Sequence, residues 1–234
     1  MEKSEFIERV RKVLDMDNIT ELIIAEDTDA STLDAIIENN VLPACKEIVS
    51  IAPARMLTPG TDYAKSAEQT FRTVSDDMYV AEVDLPDEFY RLLSVKMNDW
   101  ERPANIIYDD DPEYALQSSQ WAGLRGNPET PVAVLVKSGE TCGYSLELYT
   151  CTSESATIEK LLFVPIPFFS HASAPLHMTL INIPTRVEDA CVYACASLTA
   201  ETFGNATLAE RFMAHAYRLA EITTNTSENN GNKE

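Results

Sequence analysis

Glycine is scarce, with seven in 234 residues, and histidine is scarcer, with three. The shortage excludes much chemistry. No Gly-x-Gly-x-x-Gly or Gly-Lys-Ser/Thr loop is present to cradle a phosphate. No Gly-x-Ser-x-Gly elbow or His-Glu-x-x-His helix occurs either. No apolar run approaches the ~20 residues a membrane span needs. The opening Met1-Glu-Lys-Ser-Glu has neither the basic nor the apolar region of a secretory signal, so the chain is expected to be made and kept in a cytosol. Basic residues are few as well: 18 against 38 acidic, a net charge of −20. Such a surface repels phosphate and disfavours a grip on nucleic acid. It serves either plain solubility or a wall past which a polyanion slides without sticking.

Cysteine is limited to five residues, an odd number at irregular spacing. In a cytosol a disulfide framework is not expected. Cys191 and Cys195 stand four apart on one face of a predicted helix, where a metal reading needs further ligands nearby. The sequence around them offers none, so they read as small buried residues. Cys142 and Cys151 fall in predicted β turns with no local histidine, and a thiol nucleophile is unsupported.

What is present is a globular chain, 45% hydrophobic, with alternating signals. Leu93, Val95 and Met97 alternate with Ser94, Lys96 and Asn98; Tyr144, Leu146 and Leu148 alternate with Ser145, Glu147 and Tyr149. A period of two marks a strand with one buried face. Val132–Val136 is apolar throughout, as for a strand covered on both faces. Helical periods flank this region. Phe6, Ile7, Val10, Val13 and Leu14 form one stripe, and Asn18 to Glu21 has capping-box spacing for a short helix through Ala25. Asp29 is positioned to cap a longer helix whose stripe runs from Leu33 through Val41 and Cys45 to Ala52. Pro43 should kink or split that helix near Asn39 and Asn40, because its ring removes a donor and crowds the preceding turn. Thr185 to Glu188 and Thr207 to Glu210 are two further capping boxes. They introduce helices carrying Val187, Cys191, Ala194, Cys195 and Leu198, then Leu208, Phe212, His215, Leu219 and Ile222.

The fold class is therefore expected to be α+β: helical N- and C-terminal parts forming a helix bundle, with a central antiparallel β-sheet or sandwich insertion. The expected divisions are an N-terminal helical region 1–77, a β domain 78–165, an apolar loop with a C-terminal helical pair 166–222 packing on the N-terminal helices, and a flexible tail 223–234. Residues 54–77 carry little pattern beyond turn signals.

No catalytic, cofactor or metal site emerges. Asp109 to Asp111 are adjacent acids, read as the start of a helical turn at Pro112 rather than a cation site. The loop Pro165 to His177 is apolar and proline-rich. Its Phe168 and Phe169 either tuck onto the sheet or form an exposed patch for a partner, and His171 and His177 lack a third ligand. His215 lies on or beside a buried stripe and reads as a structural histidine. The candidate interface residues are Phe168, Phe169, His171, Ala190, Ala194, Arg211 and Tyr217. The small side chains at Ala190 and Ala194 would let a backbone approach closely, from this chain or another.

The order of short motifs carries a resemblance. Helices lead to Asp84-Leu-Pro-Asp-Glu-Phe89, then Trp100, Asp111-Pro-Glu-Tyr114, Arg125-Gly126 and Pro131. Leu146-Glu-Leu-Tyr149 and Leu161-Leu-Phe-Val-Pro165 follow, and a last helix ends near Ala216-Tyr-Arg218. Over most of residues 20 to 222 the chain resembles the head-to-tail adaptor family of short-tailed bacteriophages, the tail tubular protein A or ring-protein class. It is also similar to the neck ring proteins of crAss-like phages. The resemblance implies a structural virion protein and not an enzyme. Copies would form a homo-oligomeric ring, commonly a dodecamer, docked under the portal protein. The ring would extend the channel through which DNA passes without specific binding, and support the next ring, tail or nozzle protein. Helices would form its wall, with the β part projecting outward or downward. The resemblance implies no cofactor, no metal and no membrane. Two other classes stay open: a tail-associated hydrolase using acids among Asp109–Glu113 and Glu147, and a cytosolic binding module that does not self-assemble.

Overall fold

The computed structural model describes residues 1–15, 30–75, 78–119, 121, 123–137, 143–167, 169–171 and 179–223. The chain mixes helix and sheet, as an α+β protein does, and divides into two compact units. One comprises Met1–Thr58 and Pro167–Glu234, the other Pro59–Ile166. The expected helix through Asn18 to Ala25, the cap at Asp29, Cys142, Phe168, His177 and the tail beyond 223 lie outside the described residues.

Among the described residues the terminal unit holds four helices: α1 (Lys3–Asp15), α2 (Ala30–Ile51), α3 (Glu188–Thr202) and α4 (Ala206–Leu219). Helices α1, α2 and α4 all pack on α3. Because α3 is surrounded, it buries Ala190, Cys191, Val192, Ala194, Cys195, Ala196, Ser197, Thr199 and Ala200, which is more than the single stripe expected. Leu198, assigned to the buried stripe, is only partly covered. Arg11 pairs with Asp34 and Arg9 with Asp189, so α1 is also held by charge to α2 and α3.

Two helix starts are corrected below. Pro43 was expected to kink or split α2, and it does not split it: the helix is continuous across it. Pro43 and Asn39 both lie on the exposed side, where solvent replaces the lost intrahelical bond. At Thr185 the capping box does not form: Thr185–Val187 make a 3-10 turn, and α3 starts at Glu188 with no side-chain cap. For α4 the cap is Asn205, whose side chain accepts from the Leu208 amide at 3.2 Å, two residues before the expected box.

The expected apolar loop after Pro165 contains a short hairpin in this unit, β9 (Phe169–His171) with β10 (Thr179–Ile181). The Ile181 amide donates to the Met1 carbonyl at 3.0 Å, which ties the hairpin to the chain start.

The inserted unit is built from two sheets. One has the order β1 (Thr61–Asp62), β8 (Ile158–Pro165), β4 (Phe89–Met97). The other has the order β2 (Gln69–Ser75), β3 (Met78–Asp84), β7 (Tyr144–Cys151), β6 (Val132–Lys137), β5 (Asn105–Tyr108). A common core takes Ala81, Val83, Ala133, Leu135, Leu146 and Leu148 from one sheet and Leu92, Val95, Met97, Leu161 and Phe163 from the other. Burying one such large side chain contributes about 1.5–3 kcal/mol.

The sheets are not wholly antiparallel, because β5 pairs with β6 in parallel. The unit also begins at Pro59 rather than 78, since β1 and β2 belong to it. On β4 the register shifts between Leu92 and Ser94, which buries Leu92 and leaves Leu93 half-covered, the reverse of strict alternation. Val132–Val136 is covered on both faces as its composition implies. Ala133 and Leu135 enter the common core, while Val134 joins a smaller cluster with Val80, Ile107 and Tyr149.

Candidate interaction surface

The segment Pro112–Ser118 forms a 3-10 helix with Pro112 at its first turn. The acids before it are used locally: Asp111 accepts from the Tyr108 amide at 2.7 Å, and Asp109 from the Lys137 amide at 3.1 Å. Among the described residues no cluster of His, Cys, Asp and Glu is arranged to hold a metal ion. Glu147 is also engaged. It accepts from the Tyr149 hydroxyl at 2.7 Å, the Tyr114 hydroxyl at 3.3 Å and Arg72 Nη2 at 3.3 Å. Burial and then the neighbouring carboxylate push the Tyr149 hydroxyl well above its ordinary range, so it stays a donor. This network pins the 3-10 helix over the smaller apolar cluster.

A chain of buried polar contacts runs on from there. Trp100 Nε1 donates to the Thr150 carbonyl at 2.9 Å, and Thr150 Oγ1 to the Gly126 carbonyl at 2.6 Å. The Gly126 amide donates to Gln117 Oε1 at 2.8 Å, and Gln117 Nε2 to the Glu113 carbonyl at 3.0 Å. Gln117 is only 3% exposed, so each of these bonds replaces water that it has lost. Glycine is required at 126 for space. A Cβ there would lie 2.8 Å from the Tyr149 carbonyl oxygen and 2.9 Å from the Val132 nitrogen.

This frame walls an open cleft of about 540 Å³, lined among others by Arg102, Glu113, Leu116, Gly123, Leu124 and Arg125. Arg125 Nη1 donates to the Ser119 carbonyl at 2.9 Å, while its Nε is buried and has no hydrogen-bond partner among the described residues. Leu116, Trp121 and Leu124 follow one another in this segment and are 43%, 76% and 54% exposed. Three large apolar side chains are thus open to solvent on one short stretch.

In the terminal unit, Arg211 and Tyr217 lie on the open side of α4. A shallow groove of about 380 Å³ includes Tyr193, Arg211, Phe212, His215 and Arg218, and another of about 480 Å³ includes Met213 and Tyr217. Arg211 sits 5.6 Å from the Phe212 ring centroid, and the Tyr217 hydroxyl donates to Glu47 Oε1 at 2.7 Å. His215 packs on Tyr193 with ring centroids 4.2 Å apart, partly covered and close to Arg218.

The structure separates the remaining expected interface residues. Ala190 and Ala194 are fully buried in α3, so they admit the chain's own helices and offer no face to another copy. Phe169 and His171 lie in β9, but their side chains, like Phe168, fall outside the described residues. Cys191 and Cys195 are buried with Cys45, as read from the sequence. The Cys191 thiol is raised well above its ordinary range, first by its hydrogen bond with the Cys45 thiol and then by burial. The inserted-unit cleft was missed. Its lining residues carry no sequence signal; the nearest one along the chain is Trp121, an aromatic residue outside any apolar period.

Among the described residues no helix is long and apolar enough to cross a membrane. No protein-family model matches the chain, and no curated protein matches it.

Proposed function

We propose that this chain is a ring-forming head-to-tail adaptor of a tailed-phage virion, a structural protein rather than a catalyst. On this reading copies close into a ring, of twelve in the common case, beneath a portal protein. The ring extends the DNA channel without gripping the DNA and supports the next tail component. The helices of the terminal unit form its bundle, and the chain resides at the neck of the particle.

The observation that carries the reading is a convergence. Trp100, Glu113 and Gly126 come from three separate motifs of the resemblance, and Thr150 and Gln117 join them in one buried hydrogen-bonded frame. The net charge of −20 suits a collar from which a passing polyanion is repelled. Electron microscopy of the purified protein, alone and mixed with its portal protein, tests the reading. Closed rings are expected in at least one sample. Particles that stay monomeric at every concentration and with the portal overturn it.

A further inference from the structure

We infer that the open face of α4 receives the acidic segment 16–29 of a second copy of this chain. That face has two contiguous grooves, which share Ala214 and Arg218. The first carries Arg211, His215 and Arg218, at i, i+4 and i+7, so they lie on one side of the helix. Among the described residues no acid lines that groove. Arg211 and Arg218 are exposed, in a chain with 38 acidic residues against 18 basic. Arg218 Nη2 lies 2.6 Å from His215 Nδ1, so a ring nitrogen and not a carboxylate holds it along the face. The second groove adds a half-buried apolar row, Met213, Tyr217 and Ile222, with one acid, Glu210. A basic row beside an apolar row fits a guest whose apolar side chains are flanked by carboxylates.

Residues 16–29 match that description in sequence. They hold Asp17, Glu21, Glu26, Asp27 and Asp29 with no lysine or arginine, and Ile19, Leu22, Ile23 and Ile24 among them. The segment lies outside the described residues, between α1 ending at Asp15 and α2 starting at Ala30. Arg11 pairs with Asp34, so the segment leaves and rejoins the bundle at nearby points. At the chain's extended rise it reaches about 23 Å from there before it must turn back, far enough to meet an adjacent copy. The segment is tethered to α1 and α2, whereas the receiving face belongs to α4, so donor and acceptor are different surfaces. A contact of that kind is heterologous and propagates around a ring. This inference rests on the adaptor reading for self-assembly and adds which segment and which face perform it.

The test places a photo-reactive benzophenone amino acid at position 214, exposed and shared by both grooves, in the full chain. Isotope-labelled and unlabelled protein are mixed, with and without the portal, and cross-links are identified by mass spectrometry. Cross-links from position 214 of one chain to residues 16–29 of the other are expected. Charge reversal supplies a second, independent reading. Arg211→Glu with Arg218→Glu should keep the circular-dichroism spectrum, since both side chains are exposed, and weaken self-association about tenfold or more. Glu21→Lys, Glu26→Lys and Asp27→Lys together should weaken it in the same way. Combining the two sets in one chain should restore assembly, which a merely structural loss would not allow.

If rings form but position 214 links only within its own chain, to the portal or to nothing, the inference fails and the adaptor reading stands. The same holds if either charge-reversed set assembles like the wild type, or if the combined set does not regain assembly. A chain that is monomeric in every sample overturns both.

Discussion

The two units solve burial in opposite ways. The terminal unit is organised on α3, whose buried positions are alanine, cysteine, serine, threonine and one valine. Small side chains let three helices approach one central helix, and the energy comes from many close contacts. The inserted unit uses large side chains instead. Phe163 packs on Phe89 at 5.7 Å and on Tyr63 at 6.1 Å between ring centroids, with Met97, Leu146, Leu148 and Leu161 fully buried around them. The small-residue face was expected to admit a backbone from this chain or from another copy, and it proves to be occupied by the chain itself. Among the described residues the two most exposed large apolar side chains, Trp121 and Leu124, belong to the inserted unit. A packing-competent face is thus not evidence of a partner when the same chain can reach it.

This contrast can be broken by mutation. Phe163→Ala should have the largest effect, destabilising the inserted unit by about 3–5 kcal/mol, through lost burial and the cavity left behind. Urea unfolding followed by tyrosine and tryptophan fluorescence reads this, since both tryptophans lie in that unit. An unchanged midpoint would show that the aromatic cluster does not hold it together.

Ala194→Leu should cost less, about 1–3 kcal/mol, because the surrounding helices must shift to admit the extra methylenes. The loss should appear in the helical circular-dichroism transition. If this variant were neutral, α3 would be more loosely packed than the complete burial of Ala194 implies.

The smallest effect concerns pH and belongs to the terminal unit. Burial, and then the charge of Arg218, hold His215 below its ordinary value of 6.5. The unfolded chain therefore binds that proton more readily than the folded one. The stability from neutral His215 is fully present above about pH 6.5 and falls as the pH drops below it. His215→Gln should flatten that slope, which thermal unfolding across this pH window measures. A slope unchanged in the variant would assign the pH dependence to other groups.

Periodic elements were legible in the sequence. The stripe of α1, the long helix to Ala52 and the alternation in β7 each follow from local spacing alone. Features set by a distant partner were not. Strands β1 and β2 carry weak signals of their own and exist because Thr61 and Asp62 pair with β8 and Gln69 to Ser75 with β3. Of the interface candidates, Arg211 and Tyr217 do lie on an open helix side, while Ala190 and Ala194 do not. The cleft escaped because Arg102, Gln117 and Arg125 follow no period, and Gln117 meets the segment of Arg125 only through its hydrogen bond from the Gly126 amide.

By itself the sequence determined the acidic character, the absence of phosphate-cradling loops, and which stretches become helices or strands. These depend on composition and on side-chain repeats along a single element. Only the tertiary structure decided that α3 is enclosed on nearly every side, that β5 runs parallel to β6, and that Trp121 remains open to solvent. Each of those outcomes depends on which distant segment reaches a surface first, and no local spacing records that.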